Sequence, residues 1–337
     1  MRAVCLTAVF FMCARVLFAA GPIKDGFYNE FDGQGHLKRT VEYQYGKPNG
    51  RFRTFYPDGR IDGAGALLNG RLEGMALSYW PDGTLKLKSF YQDGQLHGRS
   101  TLYYKNGKLQ AEIEYIKGVL NGFIKEYDEQ GRPVWARHFA WGKEQGTSRE
   151  FTPETGALRR AYEYKDGKQT GLMREYHPNG QVKGAYQSID GLRNGLGREF
   201  YPTGRISREG NLKNDQWDGA VTSYYANGQV LSKVNYTQGR KNDDHWRQFY
   251  ESGELMSQVK VANDLEQGMA REYHRNGQVK SEGLFTDGKR QGIFKTYDAR
   301  GHLESEDEFT DGVIRYRREY NPQGKLLTEQ IYYHPSS

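Results

Sequence analysis

A 24-residue period constrains this chain more than any other feature of its sequence. Each unit opens at a glycine or at a residue that replaces it. The openings are Gly26, Gly50, Gly74, Gly98, Gly122, Gly146, Gly171, Gly195, Gly219, Asp243, Gly268, Gly292 and Tyr316. The spacing is 24 residues, with two units of 25. A fixed period of this size is typical of a stacked repeat architecture.

Each unit contains a turn that ends on glycine, as in Pro57-Asp58-Gly59. Proline presets φ at the first turn position, and glycine accepts the left-handed position, so this pattern predicts a three-residue hairpin loop. In such a loop, the residue four before the glycine pairs with the residue two after it. Eleven units place an aromatic opposite an aliphatic residue in these slots: Phe31/Leu37, Phe55/Ile61, Tyr79/Leu85, Tyr103/Leu109, Tyr176/Val182, Phe200/Ile206, Tyr224/Val230, Phe249/Leu255, Tyr273/Val279, Tyr297/Leu303 and Tyr320/Leu326.

Two units depart from this pairing. Tyr127 faces Pro133, which cannot donate a hydrogen bond to a sheet. Phe151 lies one residue early because its turn, residues 152–156, is longer. A later turn in each unit is predicted over segments such as Gly46 to Gly50.

Each unit is therefore predicted to be a β-hairpin. A lone hairpin is marginally stable in water, so neighbouring hairpins must pack side by side. The predicted fold is all-β: an elongated, solenoid-like array of about thirteen tandem β-hairpins that form one long, twisted antiparallel sheet.

The repeat resembles a known family. Gly98 to Leu109 reads Gly-x-x-x-x-Tyr-Tyr-x-Asn-Gly-x-Leu, and a later segment of the unit reads Tyr-x-x-Gly-Lys-x-x-Gly, as at Tyr43 to Gly50. This pattern, over residues 26 to 333, resembles the MORN repeat variant. Bacterial proteins that carry it are often called YwqK-family antitoxins, so the resemblance implies an antitoxin or immunity role.

The first 20 residues differ from the rest of the chain. Met1-Arg2 is followed by a mostly apolar run to Phe18 and then by Ala19-Ala20, which predicts a secretory signal peptide and a periplasmic protein. Both cysteines, Cys5 and Cys13, lie in this segment, so no disulfide or catalytic thiol is expected in the mature chain. Residues 21–337 are expected to form one continuous repeat domain.

The charges predict a solvated surface. The formal net charge is +6, or +4 without Arg2 and Arg15, and acidic and basic residues are interleaved along the sequence. The sequence lacks the clustered basic patch expected of a nucleic-acid-binding protein, so no nucleic-acid partner is predicted. The aromatic residues recur at fixed repeat slots, which favours cross-strand packing over base stacking.

No pattern in the sequence indicates an enzyme. The chain contains no Gly-x-Ser-x-Gly elbow, Walker loop, HExxH motif or EF-hand loop. His177 and His274 occupy the same repeat slot, which favours a structural role over metal binding. No cofactor or metal is predicted.

Candidate partner-binding residues are sought where the repeat breaks its own pattern. Asp215, Asp243 and Asp264 replace expected glycines in the irregular region 211–265. The candidates in and around the irregular regions are Trp135, Trp141, Trp217, Asp243, Asp244, His245, Trp246 and Arg247; a further acidic strip comprises Glu304, Glu306 and Glu308, which would share one strand face. Tryptophan and arginine are enriched at interface hot spots, although repeat decay or a solvated edge also accounts for these residues.

Three functions are compatible with these observations. The leading one, which the family resemblance implies, is an exported, non-catalytic binding protein that occludes a toxic effector, such as a phospholipase, encoded by a neighbouring gene. The alternative is an envelope scaffold that contacts membrane lipid, which the mixed charges do not favour. A carbohydrate hydrolase with paired carboxylates is the third, and no acidic pair can be placed at catalytic separation from the sequence.

Overall fold

The computed structural model describes residues 24–332, which form two compact units, one ending at Val119 and the other beginning at Leu120. The predicted signal peptide and both cysteines lie outside the described residues. The first unit contains β1 (Gly26–Phe31), β2 (Leu37–Gln44), β3 (Lys47–Phe55), β4 (Ile61–Leu68), β5 (Arg71–Tyr79), β6 (Leu85–Gln92), β7 (Gln95–Leu96), β8 (Gly98–Tyr103) and β9 (Leu109–Ile116).

The second unit contains the remaining strands, the first of which starts at the boundary. They are β10 (Val119–Tyr127), β11 (Pro133–Ala140), β12 (Lys143–Glu144), β13 (Gly146–Phe151), β14 (Leu158–Lys165), β15 (Lys168–Gln169), β16 (Gly171–Tyr176), β17 (Val182–Ile189), β18 (Leu192–Phe200), β19 (Ile206–Lys213), β20 (Gln216–Tyr224), β21 (Val230–Thr237), β22 (Arg240–Lys241), β23 (Asp243–Phe249), β24 (Leu255–Ala262), β25 (Leu265–Tyr273), β26 (Val279–Thr286), β27 (Lys289–Tyr297), β28 (Leu303–Thr310), β29 (Val313–Tyr320) and β30 (Leu326–Ile331).

The fold class is all-β, as predicted: residues 24–332 contain strands and no helix, and strands adjacent in each unit pair antiparallel. The sequence-derived register is confirmed too. Phe55 pairs with Ile61, Tyr79 with Leu85 and Tyr224 with Val230. Tyr127 pairs with Pro133, which opens β11 and so occupies a strand position that tolerates proline. The prediction of one continuous domain over 21–337 stays a prediction.

The first turn of the repeats is the predicted three-residue loop, except in the repeat with the longer turn at residues 152–156. In the second repeat the Gly59 N–H donates to the Tyr56 carbonyl at 2.9 Å, and the Tyr56 N–H donates to the Arg60 carbonyl at 2.8 Å. Gly59 has φ 85°, a left-handed conformation that a side chain would strain.

The second turn lies earlier than the sequence predicted. It is a two-residue turn with both φ angles positive, as at Asn69 (51°) and Gly70 (78°), which is the type I′ geometry that matches strand twist. In the repeat where the turn was expected over Gly46 to Gly50, the turn residues are Tyr45 and Gly46. Gly50 instead lies within β3, opposite an irregularity in the pairing with β2.

In each unit, one face of the sheet, called here the packed face, carries most of the buried side chains. In the first unit, Val41, Tyr43, Phe52 and Leu67 form a buried cluster. In the second unit, Val221, Val234, Tyr236 and Val261 form another. Successive side chains along a strand point to opposite faces, so the residues between these positions lie on the other side, called here the open face.

Neighbouring hairpins are also joined by side chains at the first turn. The Tyr56 hydroxyl donates to the Tyr79 carbonyl at 2.7 Å, 23 residues further on. Tyr201 and Tyr250 repeat this bond in the second unit, to the carbonyls of Tyr224 and Tyr273. The same repeat slot therefore links several hairpins to the next.

Candidate partner-binding surface

Four consecutive repeats of the second unit send opposite charges to opposite faces. The dipeptides Lys125-Glu126, Arg149-Glu150, Arg174-Glu175 and Arg198-Glu199 recur at the repeat spacing on β10, β13, β16 and β18. Because adjacent strand residues point in opposite directions, the basic residue and the carboxylate of each dipeptide lie on different faces. We call Lys125, Arg149, Arg174 and Arg198 the cationic row, and Glu126, Glu150, Glu175 and Glu199 the carboxylate row.

The register makes the cationic row continuous across the sheet. Its members alternate with alanines in one line of paired residues: Lys125, Ala136, Arg149, Ala161, Arg174, Ala185 and Arg198. The row lies on the open face, because Ile124 and Ser148, the residues that precede Lys125 and Arg149, are buried on the packed face. Alanine between the cations leaves each long side chain without a bulky neighbour in the row.

The carboxylate row is compensated within the packed face. Glu126 accepts a hydrogen bond from Arg137 Nη2 at 2.7 Å, and Glu175 accepts one from Arg160 Nε at 3.1 Å. The Tyr162 hydroxyl donates to Glu150 at 3.1 Å, and the Tyr186 hydroxyl donates to Glu199 at 3.3 Å.

The same environment raises the pKa of two packed-face tyrosines. For Tyr186 the pKa rises to about 12, mainly because the phenol is buried and further because the Glu199 carboxylate repels a second negative charge. Burial, together with the charge of Glu150, raises the pKa of Tyr162. Both phenols therefore stay protonated and able to donate at neutral pH.

The cationic row is mostly uncompensated. Arg198 pairs with Glu209 at 3.3 Å, and the pKa of Glu209 is lowered by its hydrogen bond from Tyr224 and by Arg198. Lys125 Nζ lies 5.9 Å from the centroid of the Phe123 ring. Within residues 24–332, the side chains of Arg149 and Arg174 make no hydrogen bond or ion pair. Three of the four cations therefore lack a carboxylate partner.

Apolar side chains lie beside this row on the open face. Phe123, 51% exposed, and Leu196, 43% exposed, precede Lys125 and Arg198 by two residues on their strands. Leu172 is half-buried in the equivalent position before Arg174. Thr147, in the remaining equivalent position, donates a hydrogen bond to Glu163 at 2.8 Å. The open face thus combines a cationic strip with a partly apolar strip.

The structure accounts for Trp217 and Trp246 by packing. Both are partly buried against the cluster of Val221, Val234, Tyr236 and Val261. Lys241 Nζ lies 4.0 Å from the Trp246 ring centroid. A partner-binding role for these two tryptophans stays a prediction, and their burial gives it no support.

The three aspartates that replace glycines have local backbone roles. Asp215 and Asp264 occupy the second position of type I′ turns, with φ 67° and 70°. Their carboxylates accept hydrogen bonds from the N–H groups of Arg193 and Lys241, at 3.0 and 2.9 Å. Asp243 accepts from the N–H groups of Asn235 and His245, at 2.7 and 2.8 Å.

The structure brings three of the predicted residues together in a shallow groove of about 210 Å³ on the open face. Asp243, His245 and Arg247 line it with Lys233, Asn235 and Thr222. Asp244 lies outside the groove and pairs with Lys260 at 2.7 Å. That hydrogen bond is the main cause of the lowered pKa of the Asp244 carboxyl.

Trp135 and Trp141 have different environments. Trp135 lies half-buried in the carboxylate row, paired with Glu126 and Glu150, and Arg137 stacks over it at 5.8 Å. Trp141 is 66% exposed. It occupies the first position of a type I′ turn with φ 50°, and its N–H donates to Asn121 Oδ1 at 3.0 Å.

Glu304, Glu306 and Glu308 alternate along β28 with Ser305 and the buried Asp307, so they share the open face as predicted. Glu306 is engaged: it accepts from the Tyr320 hydroxyl at 2.9 Å and lies 3.6 Å from Lys295 Nζ. Sequence reasoning missed Asp307, which is buried on the packed face and accepts two hydrogen bonds from Arg317, each of 2.7 Å.

The two equivalent histidines have the structural role that the sequence favoured. A ring nitrogen of His177 lies 2.8 Å from the Phe200 carbonyl, and one of His274 lies 2.8 Å from the Tyr297 carbonyl. Both histidines occupy the repeat position of Tyr56, whose hydroxyl makes the equivalent bond in the first unit. The part of the chain described here contains no group of three or more side chains placed to hold a metal ion. Residues 24–332 also contain no helix that is long and apolar enough to cross a membrane.

Comparison with known proteins identifies the repeat. Six segments match the MORN repeat variant: residues 72–95, 96–117, 169–187, 217–238, 266–287 and 290–311. The chain therefore carries MORN repeat variants in both compact units. No curated protein matches it in sequence.

Solved structures align with the chain over most of its length but at low similarity. The complex TcdB2-TccC3-Cdc42 matches at 16% identity, covering 91% of this chain and 19% of that chain, with a TM-score of 0.19. TcdB2-TccC3 matches at 13% identity, with coverage of 90% and 18% and a TM-score of 0.16. The Photorhabdus luminescens Tc holotoxin pore matches at 12% identity, with coverage of 90% and 18% and a TM-score of 0.13. The chain spans less than one fifth of the length of these proteins.

Proposed function

We propose that this protein is an exported, non-catalytic binding protein that acts as an antitoxin or immunity protein. It binds a toxic effector enzyme in the bacterial envelope and covers the mouth of its active site. A phospholipase is the effector class that the family resemblance suggests. The proposal takes the first 20 residues as the export signal and the repeat sheet as the binding scaffold.

The observation that carries the proposal is the set of large apolar side chains on the open face. In the second unit Met269, 52% exposed, pairs directly with Leu284, 43% exposed. Ile293 on the next strand is also exposed. Contiguous exposed apolar side chains on a soluble protein mark interaction sites.

The rigid repeat scaffold supports the same proposal. Hairpins that hydrogen-bond to their sequence neighbours present their open-face residues at fixed spacing, so a partner meets a surface that needs little reordering. Preorganisation of this kind lowers the entropic cost of binding.

The test is co-expression with the product of the neighbouring gene, with export signals intact. We expect the two proteins to co-purify and the chain to restore growth when the effector is toxic. The variant Met269→Asp/Leu284→Asp should weaken both effects. Ile189→Asp is the matched control, because Ile189 is 58% exposed but lies at a strand end beside a type I′ turn. Absence of both binding and protection with the wild-type chain refutes the proposal.

An envelope scaffold that contacts lipid is the second candidate, and the exposed apolar side chains on the open face are the observation that favours it. Flotation of the protein with liposomes of anionic lipid at low salt tests it. Binding that survives without any protein partner would favour the scaffold, whereas no flotation removes it.

A further inference from the structure

We propose that the cationic row of the second unit docks an acidic helix of a protein partner. The inference rests on the proposed function as a binding protein and specifies the chemistry of the partner. It starts from the difference between the two charged rows. The four glutamates of the carboxylate row all have donors within the sheet, whereas Lys125, Arg149 and Arg174 lack carboxylate partners on the open face.

Charge complementarity selects an anionic partner. Cations held close together on one face repel each other, and a partner that brings carboxylates reduces this repulsion while steering the encounter. The remaining member, Arg198, already has Glu209 at 3.3 Å, so the uncompensated charge is concentrated at Lys125, Arg149 and Arg174. The partner is therefore expected to present about three carboxylates in a line.

The spacing of the row selects a helix. The cations lie on every second strand, and strands lie about 4.8 Å apart, so neighbouring cations are about 9.6 Å apart. On an α-helix, residues seven positions apart share a face and are about 10.5 Å apart. On an extended strand, residues that share a face are about 6.6 or 13 Å apart, and neither distance matches.

The neighbouring apolar strip favours a protein over other anionic partners. Phe123, Leu172 and Leu196 lie two residues from members of the cationic row, on the same face. An amphipathic helix with glutamates at seven-residue spacing places apolar residues in the adjacent positions, three or four along, where they meet this strip. The phosphate backbone of a nucleic acid offers no apolar counterpart to these side chains.

The proposal is tested with the full chain and a synthetic helical peptide. The peptide carries glutamates seven residues apart, flanked by leucines on the same side, and a second peptide of equal composition places its glutamates on the opposite side. We expect the first peptide to bind, measured by fluorescence anisotropy, and to lose affinity as salt rises. The charge-reversed variant Arg149→Glu/Arg174→Glu should bind about tenfold more weakly or worse.

Arg53→Glu is the matched control, since Arg53 is exposed on β3 of the first unit and occupies the repeat position equivalent to Arg149. It should leave binding unchanged, and Arg149→Gln/Arg174→Gln should lie between wild type and the charge-reversed variant. Equal binding of the two peptides, equal weakening by Arg53→Glu, or no binding of either peptide would overturn the proposal. So would binding to phosphatidylglycerol vesicles or to a short DNA duplex in preference to the peptide.

The same variants separate this inference from the proposed function. If Arg149→Glu/Arg174→Glu still protects against the effector and co-purifies with it, the cationic row is not the docking surface and the protein remains an antitoxin. If the wild-type chain gives no protection, the proposed function fails, whatever the peptide does.

Discussion

Asp307 and Arg317 form a bidentate ion pair on the packed face, with both N–O distances 2.7 Å. In the register of the sheet, Asp307 pairs with Phe294 on one side and with Arg317 on the other. Phe294 itself packs edge-on against Phe309, with ring centroids 5.3 Å apart. The pair thus places two charges on the packed face, where the other repeats have mostly apolar side chains.

Removing one partner of this pair should destabilise the end of the second unit. Asp307→Ala leaves the Arg317 guanidinium without its acceptor, and we expect a loss of about 1–3 kcal/mol in the free energy of unfolding. The lower part of this range applies if water solvates Arg317, whose side chain is 43% exposed. Urea unfolding measures the change. The control is Glu329→Ala, which removes the ion-pair partner of Arg318. Glu329 is more exposed than Asp307, so its loss should cost less than about 1 kcal/mol. Equal losses from the two variants would contradict the prediction.

Tyr56→Phe should weaken the link between two neighbouring hairpins. It removes the hydroxyl that donates to the Tyr79 carbonyl, and we expect a cost of about 0.5–1.5 kcal/mol in urea unfolding. Tyr45→Phe is the control because Tyr45 is 89% exposed at a turn, and it should have no measurable effect.

The same bond predicts the effect of alkaline pH. Burial, and then the nearby Asp62 carboxylate, raise the pKa of Tyr56 to about 12, above the usual value of 10.0. The contribution of the protonated hydroxyl is therefore fully present below pH 10 and is lost as pH rises through about 12. The stability difference between wild type and Tyr56→Phe should vanish over this window, and a difference that persists above it would be inconsistent with the bond.

Gly65→Ala should destabilise the first unit through steric overlap. A Cβ at Gly65 would lie 2.7 Å from Cε1 of Phe52, which is among the most deeply buried side chains. We expect a cost of about 1–3 kcal/mol in chemical unfolding. The double variant Gly65→Ala/Phe52→Leu should recover part of this loss, because leucine vacates the space of the ring. Additive losses in the double variant would argue against the overlap.

Trp141→Asn should increase stability while testing a binding role. Trp141 has φ 50°, which strains a bulky residue, whereas asparagine tolerates this conformation and favours type I′ turns. We expect a gain of about 0.5–1 kcal/mol in thermal or urea unfolding. If the exposed indole contacts the partner, co-purification with the effector should fall at the same time. A gain in stability with unchanged binding would mean that the partner does not use this residue.

The sequence predicted the first turn and its register because proline, aspartate and glycine at fixed positions determine one loop geometry, as the pairing of Phe55 with Ile61 confirms. It placed the second turn too far along the chain, for example over Gly46 to Gly50 instead of at Tyr45 and Gly46. Tyr45 and Trp141 are poor indicators of a type I′ turn, and the later glycine of the same repeat drew the prediction downstream. Tertiary pairing, not local preference, holds these residues in the left-handed region.

The charged rows were also missed, although their signal lies in the sequence. Charges that alternate along a strand read as a mixed, solvated surface. Adjacent residues of a strand lie on opposite faces, and Lys125, Arg149 and Arg174 recur at the repeat spacing. Only the two facts together show that the basic residues lie on one face of the sheet and the glutamates on the other. Recurrence of a Lys-Glu or Arg-Glu pair at one slot is the pattern that could have revealed it.

The hydrogen bond between the second turn and the preceding hairpin has a consequence for how such chains evolve. In the first unit the Gly70 N–H donates to the Pro48 carbonyl, and the Gly94 N–H donates to the Leu72 carbonyl, each 22 residues earlier. Duplication of one 24-residue segment therefore supplies both the donor and the acceptor that the new hairpin needs. We therefore expect that recombination can lengthen or shorten the array by whole hairpins.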